Sequence, residues 1–203
     1  MTAAVGRAFT QPEDGDMRAD LDARARLSRK LGLAEEWATV DQVHGSNVVT
    51  AEGPGSAGPA DAIVTVVPGL PVAVFTADCL GVVMAGPGTV GVAHAGWRGL
   101  AAGVLEATAD RMAEIGSAPV EAWIGPAIGP CCFEVGEEVA ARFEGDRSRT
   151  TWGTTSVDLV AAARRRLPGI SVTADGRCTA CGGGFSHRRD ARPERMAALG
   201  WVA

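Results

Sequence analysis

Between Ala62 and Val92 the chain carries a single charged residue, Asp78. A stretch this apolar would suit a membrane-spanning helix if it were continuous. It is cut, however, by Pro68-Gly69-Leu70-Pro71, by Asp78 and by Gly86-Pro87-Gly88. The pieces left over have the length of strands. They predict buried strands at Ala62–Val66, Val72–Thr76 and Gly81–Ala85, with a fourth at Thr89–His94.

The flanking segments are mixed. Met1–Thr10 predicts a short strand, followed by a polar turn through Glu13-Asp14-Gly15-Asp16. Leu21–Leu31 reads as a basic amphipathic helix with Leu21, Ala25, Leu27 and Leu31 as its buried face and Gly32 as its stop. Short strands at Trp37–Val43 and Asn47–Ala51 flank His44-Gly45, and Glu52–Pro59 reads as a Gly/Pro-rich surface loop. One helix is expected over Leu100–Ile115, ending at Gly116. Val120–Ile124 reads as a strand and Gly136–Phe143 as a short helix. Ser156 is the expected cap of a helix at Val157–Leu167, and Ile170–Thr173 the last strand. Strands dominate the centre and helices punctuate it. The expected class is therefore α/β (α+β) with mixed central β-sheets, and residues 1–203 read as one domain.

The 203 residues are 46% hydrophobic with a net charge of −5. That balance argues against a general nucleic-acid or anionic-membrane surface. Met1–Arg18 has no apolar core of a secretory signal, so a cytoplasmic location is expected. Five cysteines is an odd number, and a reducing compartment keeps them as thiols or metal ligands. Cys178-Thr179-Ala180-Cys181 has no second C-x-x-C and no following helix, so it reads as a loop with reduced thiols. Cys131-Cys132 falls on a turn. Adjacent cysteines rarely both ligate one ion, so one is expected to pack while the other faces a pocket.

Three further soft ligands close strand-like segments: His44 in Asp41-Gln42-Val43-His44-Gly45, Cys79 in Thr76-Ala77-Asp78-Cys79, and His94 in Ala93-His94-Ala95-Gly96. Taken singly, each has a plain explanation. A histidine beside glycine commonly holds a backbone carbonyl, and a cysteine in an apolar run is a small hydrophobe. Taken together, two imidazoles and a thiolate form a three-ligand zinc set with a fourth position open for water or substrate.

The strings DQVHGSNV (41–48), TADC (76–79), GVAHAGWRG (91–99), IGPAIGPCCFEVG (124–136) and FSHRRD (185–190) occur in an order that resembles the laccase-domain family. That family is also called the peptidoglycan editing factor or multifunctional purine nucleoside phosphorylase family. The resemblance implies a layered αββα fold, similar to cysteine hydrolases related to a cytotoxic-necrotizing-factor type of deamidating toxin. It also implies phosphorolysis of adenosine, inosine and S-methyl-5'-thioadenosine, together with adenosine deamination. The partners are then a purine nucleoside and phosphate. Zinc is the implied cofactor, with copper as the alternative, held by His44, Cys79 and His94 as metal ligands and catalytic residues.

Within that frame Gln42, two residues before His44 on a strand, is expected to share its face and read the nucleoside. Arg98 at a helix start is expected to meet phosphate, although an exposed helix-start cation is as ordinary. Of Arg188 and Arg189, one is expected to reach phosphate while the other pairs with Asp190. Deamination needs an acid/base carboxylate. Asp78 is adjacent, although strand alternation turns it away from Cys79, and Asp41 and Glu134 are further options. His187 stands where relatives commonly carry tyrosine and reads as peripheral. The family's N-terminal Thr-Arg-x-Gly-Gly element is missing: Phe9–Gly15 holds no arginine, which predicts weak phosphate binding at that edge. The alternatives are a metal-free cysteine hydrolase with Cys79 as nucleophile and His94 as base, a peptidoglycan-precursor editing factor, a zinc-stabilised binding protein, and a copper polyphenol oxidase. The last is disfavoured because three histidines are too few for multicopper ligation.

Overall fold

The computed structural model describes residues 4–203. Strand β1 (Val5–Phe9) leads to helix α1 (Leu21–Leu31), then to β2 (Ala38–Asp41), β3 (Val48–Thr50) and β4 (Gly55–Pro59). The apolar centre forms β5 (Ala62–Thr65), β6 (Val72–Thr76), β7 (Leu80–Gly86) and β8 (Thr89–Ala95). After it come α2 (Trp97–Ala101), α3 (Val104–Ile115), β9 (Glu121–Ile124) and α4 (Glu137–Ala140). The chain closes with β10 (Arg147–Arg149), β11 (Thr155–Val157), α5 (Leu159–Arg165), β12 (Ser171–Ala174), α6 (His187–Asp190) and β13 (Met196–Val202).

Two mixed sheets result. One runs β1-β13-β6-β2-β4, the other β12-β9-β7-β8-β5-β3, and β10 and β11 pair separately. Alternation along each strand assigns the faces. Val72 and Val74 of β6 and Ala198 of β13 meet Val83, Val90 and Val92 of the other sheet in a core between the two. Ala73, Phe75, Ala197 and Leu199 point the opposite way, under Ala23, Leu27 and Trp37. Beyond the second sheet, Val64, Val82 and Met84 pack under Leu100, Leu105 and Met112 of α2 and α3. The layers therefore run α, β, β, α. Each large side chain buried this way stabilises the fold by about 1.5–3 kcal/mol.

The structure departs from the sequence expectations at several points. Helix α1 does stop at Gly32, which adopts the left-handed conformation (φ 70°). Its inward face, however, is Ala23, Leu27 and Ser28, while Leu21 is 70% exposed. The helix is turned because Trp37 lies beneath it and donates its indole N–H to the Ser28 hydroxyl at 2.8 Å. The expected Leu100–Ile115 helix is two helices, broken at Gly103 (φ 88°). Apolar periodicity ran across the break because both helices share one core. Asp158, not Ser156, caps α5 by accepting the Ala161 N–H. Ser156 lies in β11 and donates its hydroxyl to the Pro130 carbonyl. The expected loop at Glu52–Pro59 contains β4, an exposed edge strand, where glycine and proline are tolerated. Strand β13, central to its sheet, carried no turn signal to distinguish it from other apolar runs. Of the strand expected in Met1–Thr10, Met1–Ala3 lie outside the described residues. No helix among the described residues is long and apolar enough to cross a membrane.

Candidate active site and metal centre

Three chain segments bring His44, Cys79 and His94 together. His94 stands near the end of β8, Cys79 in the turn from β6 to β7, and His44 after β2. Their donor atoms all lie within 4.8 Å of one another. The two imidazoles meet edge to face, with centroids 4.8 Å apart. His94 is buried, Cys79 half-buried and His44 exposed, so the group opens outward on the His44 side.

A residue that sequence reasoning passed over organises this group. Asp61, immediately before the apolar run, is fully buried. One of its oxygens lies 2.8 Å from His94 Nδ1. Its carboxylate also accepts the backbone N–H groups of Val43, His44 and Gly45, at 3.2, 2.9 and 2.6 Å. Successive amides converging on one anion form a cradle, and this one folds the His44 turn onto β5. With Nδ1–H donated to Asp61, His94 presents Nε2 to Cys79, the orientation typical of a metal-ligating histidine. The signal available in the sequence was an acidic residue bordering an uncharged stretch.

The backbone is strained on either side of the group. His44 (φ 62°) and Asp78 (φ 94°) are two of three described non-glycine residues with positive φ. Such conformations cost on the order of 1–3 kcal/mol and persist where the surroundings over-determine them. Here Asp61 fixes the first. The second is fixed by Thr179, whose hydroxyl donates to Asp78 Oδ1 at 2.6 Å, and by the Arg188 N–H, which donates to Oδ2 at 2.7 Å. Gly96 lies against the group: a Cβ there would stand 2.9 Å from Cys79 Sγ and 3.3 Å from the His44 ring.

The charges are coupled. Burial pushes the Cys79 thiol up, but hydrogen bonds and charge from His44 and His94 outweigh it and bring the pKa down to about 6. Burial opposes charging of His94, yet Asp61 and Cys79 lift it to about 9. Burial also pushes Asp61 up, and the bonds from His94, Gly45 and His44 hold it below its ordinary value. Without a cation the arrangement is thus a thiolate beside an imidazolium backed by a carboxylate.

A cavity of about 310 Å³ opens over the group, with Phe75, Trp97 and Phe133 among its walls. Four arginines also line it: Arg18, Arg98, Arg188 and Arg195. Arg98 lies over the Trp97 ring, 4.3 Å from its centroid. Arg188 donates to the Glu134 carbonyl at 2.7 Å. Arg18 and Arg195, which sequence reasoning missed, are drawn in by Asp16, whose Oδ1 accepts both backbone N–H groups at 3.0 Å. These two cations come from outside the Phe9–Gly15 segment, which holds no arginine. A larger hollow of about 590 Å³ beside α1 contains none of the three donors.

Other sequence expectations change in this setting. Gln42 lines the cavity, and its amide also pairs with the Phe75 backbone, donating to the carbonyl and accepting the N–H at 2.8 Å each. It braces the end of β2 against β6 and keeps one N–H and one oxygen lone pair uncommitted at the cavity. Asp78 is occupied as described. Glu134 accepts the Trp152 indole N–H, and Asp41 the Ser56 hydroxyl. Arg189 pairs with Asp190 at 2.7 Å, leaving Arg188 to the cavity. His187 is exposed at the rim. Neither Cys131 nor Cys132 lines the cavity, contrary to the expected division of that pair.

Residues 10–203 match the family described as multi-copper polyphenol oxidoreductase laccase. The chain is 41% identical to the purine nucleoside phosphorylase ORF3 of Streptomyces griseus, over 93% of this chain and 84% of that protein. It is 39% identical to the purine nucleoside phosphorylase YfiH of Escherichia coli, over 88% and 79%. The crystal structure of YlmD from Geobacillus stearothermophilus superposes with a TM-score of 0.80 at 30% identity, covering 98% of this chain and 91% of that one. The Bacillus licheniformis YfiH structure shares the fold, with a TM-score of 0.85 at 24% identity over 98% of this chain and 93% of that one. With the match extending across nearly all of its length, the chain belongs to the laccase-like family.

Proposed function

We propose that this protein is a zinc-dependent purine nucleoside phosphorylase acting on adenosine, inosine and S-methyl-5'-thioadenosine. The observation that carries the proposal is the placing of four arginines and three aromatic rings around the His44–Cys79–His94 group in one cavity. The names of the relatives support it. The donor set suits zinc: two imidazoles and a thiolate, with Asp61 behind one imidazole and an open side toward the cavity. The same His₂Cys set serves blue copper, which makes copper the alternative metal. When bound, zinc would supply a Lewis acid toward a substrate heteroatom and lower the pKa of water.

The remaining work falls to this chain's own side chains. Arg18, Arg98, Arg188 and Arg195 attract phosphate and hold it by charge-assisted hydrogen bonds. Phe75, Trp97 and Phe133 offer flat apolar surface to a purine and keep water from the glycosidic carbon. Asp61 keeps His94 in one tautomer and one orientation. Deamination would require a free carboxylate at the cavity as proton shuttle. Asp78, Asp41 and Glu134 are each engaged elsewhere, which makes phosphorolysis the leading reaction and adenosine deamination a side activity.

The test is to incubate the zinc-loaded protein with each nucleoside, with and without phosphate, and to identify the products. Free base formed only when phosphate is present is the expected result, with ribose 1-phosphate from adenosine and inosine and 5-methylthioribose 1-phosphate from S-methyl-5'-thioadenosine. Base release indifferent to phosphate, or inosine as the main product from adenosine, would overturn it. A metal-free cysteine hydrolase is the second reading, favoured by the line from Asp61 through His94 to Cys79. Full turnover after chelation, abolished by alkylating Cys79, would select it.

A further inference from the structure

A second sulfur cluster lies outside the cavity. The Sγ atoms of Cys131, Cys132, Cys178 and Cys181 all lie within 4.8 Å of one another, and all four residues are free thiols. Adjacent cysteines rarely share an ion, but here the sulfurs of both Cys131 and Cys132 lie in the cluster, and we propose that the four cysteines bind a structural zinc ion, which ties the Gly129–Phe133 turn to the Cys178–Gly182 loop.

Four observations carry the proposal. The first is spacing. A tetrahedral ion with Zn–S bonds of about 2.3 Å sets neighbouring sulfurs about 3.8 Å apart, and Cys131 Sγ stands 3.7 Å from Cys181 Sγ. The second is the loop. The backbone N–H of Gly129 donates to Cys178 Sγ at 3.2 Å. Donors of this kind favour a thiolate, the form that binds metal.

The third observation is clearance. A Cβ at Gly129 would stand 3.2 Å from Cys131 Sγ and 3.3 Å from Cys178 Cβ, and one at Gly182 would stand 2.5 Å from the Cys178 carbonyl. Both glycines let the two segments close on one point. The fourth is charge. The Arg189 guanidinium donates to the Thr179 and Ala180 carbonyls at 3.1 and 2.8 Å. That ties the C-x-x-C loop to the Arg189–Asp190 ion pair, which leaves the guanidinium beside the thiols.

Four sulfurs and no open ligand position mark a closed, structural site. The ion would also steady the cavity wall, because the C-x-x-C loop carries Thr179, the hydroxyl partner of Asp78.

The experiment uses the full chain carrying His44→Ala and Cys79→Ala, which removes the first donor group. Purified under reducing conditions, it is expected to retain one zinc per chain, released as a mercurial titrates the thiols. After exchange to cobalt it should show strong sulfur-to-metal charge-transfer bands and the intense visible bands of a tetrahedral site. Adding Cys178→Ser and Cys181→Ser should abolish both. If that variant does not fold, the zinc count and the cobalt spectrum of the first variant decide the matter. No zinc, weak octahedral cobalt bands, bound iron, or a mass two hydrogens lighter from a disulfide would each overturn the proposal. None of these readouts depends on nucleoside turnover.

Discussion

The protein has two clusters of soft donors, and they differ in nearly every respect that separates chemistry from support. The His44–Cys79–His94 group mixes nitrogen and sulfur, grades from buried to exposed, and opens into a cavity lined by arginine. The four-cysteine cluster is all sulfur, half-buried with Cys181 exposed, and set between two loops with the Gly129 N–H donating to Cys178 Sγ. The first rests on a buried carboxylate and two strained residues; the second rests on glycines. Donor count alone would treat them alike. Access and supporting contacts distinguish them: an ion needs a free position to act on a substrate and a full shell to hold loops together.

The largest expected effect is on catalysis at the first cluster. Cys79→Ser should lower phosphorolysis about a thousandfold, corresponding to several kcal/mol of lost charge stabilisation, with little change in Tm. Cys178→Ser should do the reverse, lowering Tm while kcat at saturating phosphate survives. Steady-state kinetics and thermal melts of both variants would erase the contrast if they moved together.

Asp61→Ala tests whether the first cluster stands on its carboxylate. Removing one partner of a buried charged network costs about 3–5 kcal/mol, readable by urea denaturation. Metal should be lost from the imidazole cluster and retained by the thiolate cluster. Loss from both would mean that Asp61 serves the whole fold.

Smaller effects are expected from the arginines. Each of Arg18→Ala, Arg98→Ala and Arg195→Ala removes one charge-assisted bond, about 1.5–3 kcal/mol. The phosphate KM should then rise roughly ten- to hundredfold with kcat retained. Gln11→Arg, the substitution suggested by the missing N-terminal arginine, should have no effect, since Gln11 accepts from Arg177 and does not line the cavity.

Thiol reactivity gives a test by pH. In metal-free protein Cys79 loses its proton near pH 6, so it is thiolate above that pH and thiol below it. Iodoacetamide alkylation should be level above pH 7 and fall about tenfold per unit below pH 6. A midpoint near the ordinary thiol value would remove the coupling with His94. Gly129→Ala probes the second cluster alone. Its Cβ would press on Cys131 and Cys178, costing roughly 1–3 kcal/mol of stability by overpacking and leaving phosphate kinetics unaltered.

Much of the architecture was legible from local pattern. Strands β5 to β8, the stop of α1 at Gly32 and the end of α3 at Gly116 follow from apolar runs cut by glycine and proline. His44, Cys79 and His94 could be grouped because each closes such a run and is a ligand by chemistry. Burial in a folded chain decided the rest. Asp61 gains its importance from three amides and an imidazole belonging to segments 16 to 33 residues away. Gln42 reaches the cavity where the sequence placed it, and its pairing with the Phe75 backbone, 33 residues away, could be seen only in the folded chain.

The sequence by itself determined which segments become strands and helices and which residues are able to hold a metal, because those properties belong to single side chains and their near neighbours. Only the tertiary structure decided that Arg18 and Arg195 reach the same cavity as Arg98 and Arg188. It alone brought Cys131 and Cys132 to within a few ångströms of a C-x-x-C loop about 50 residues further along. The physical reason is that neither convergence leaves a local trace. Each arises from the stacking of two sheets and the loops at their ends, where sequence distance places no limit on which side chains meet.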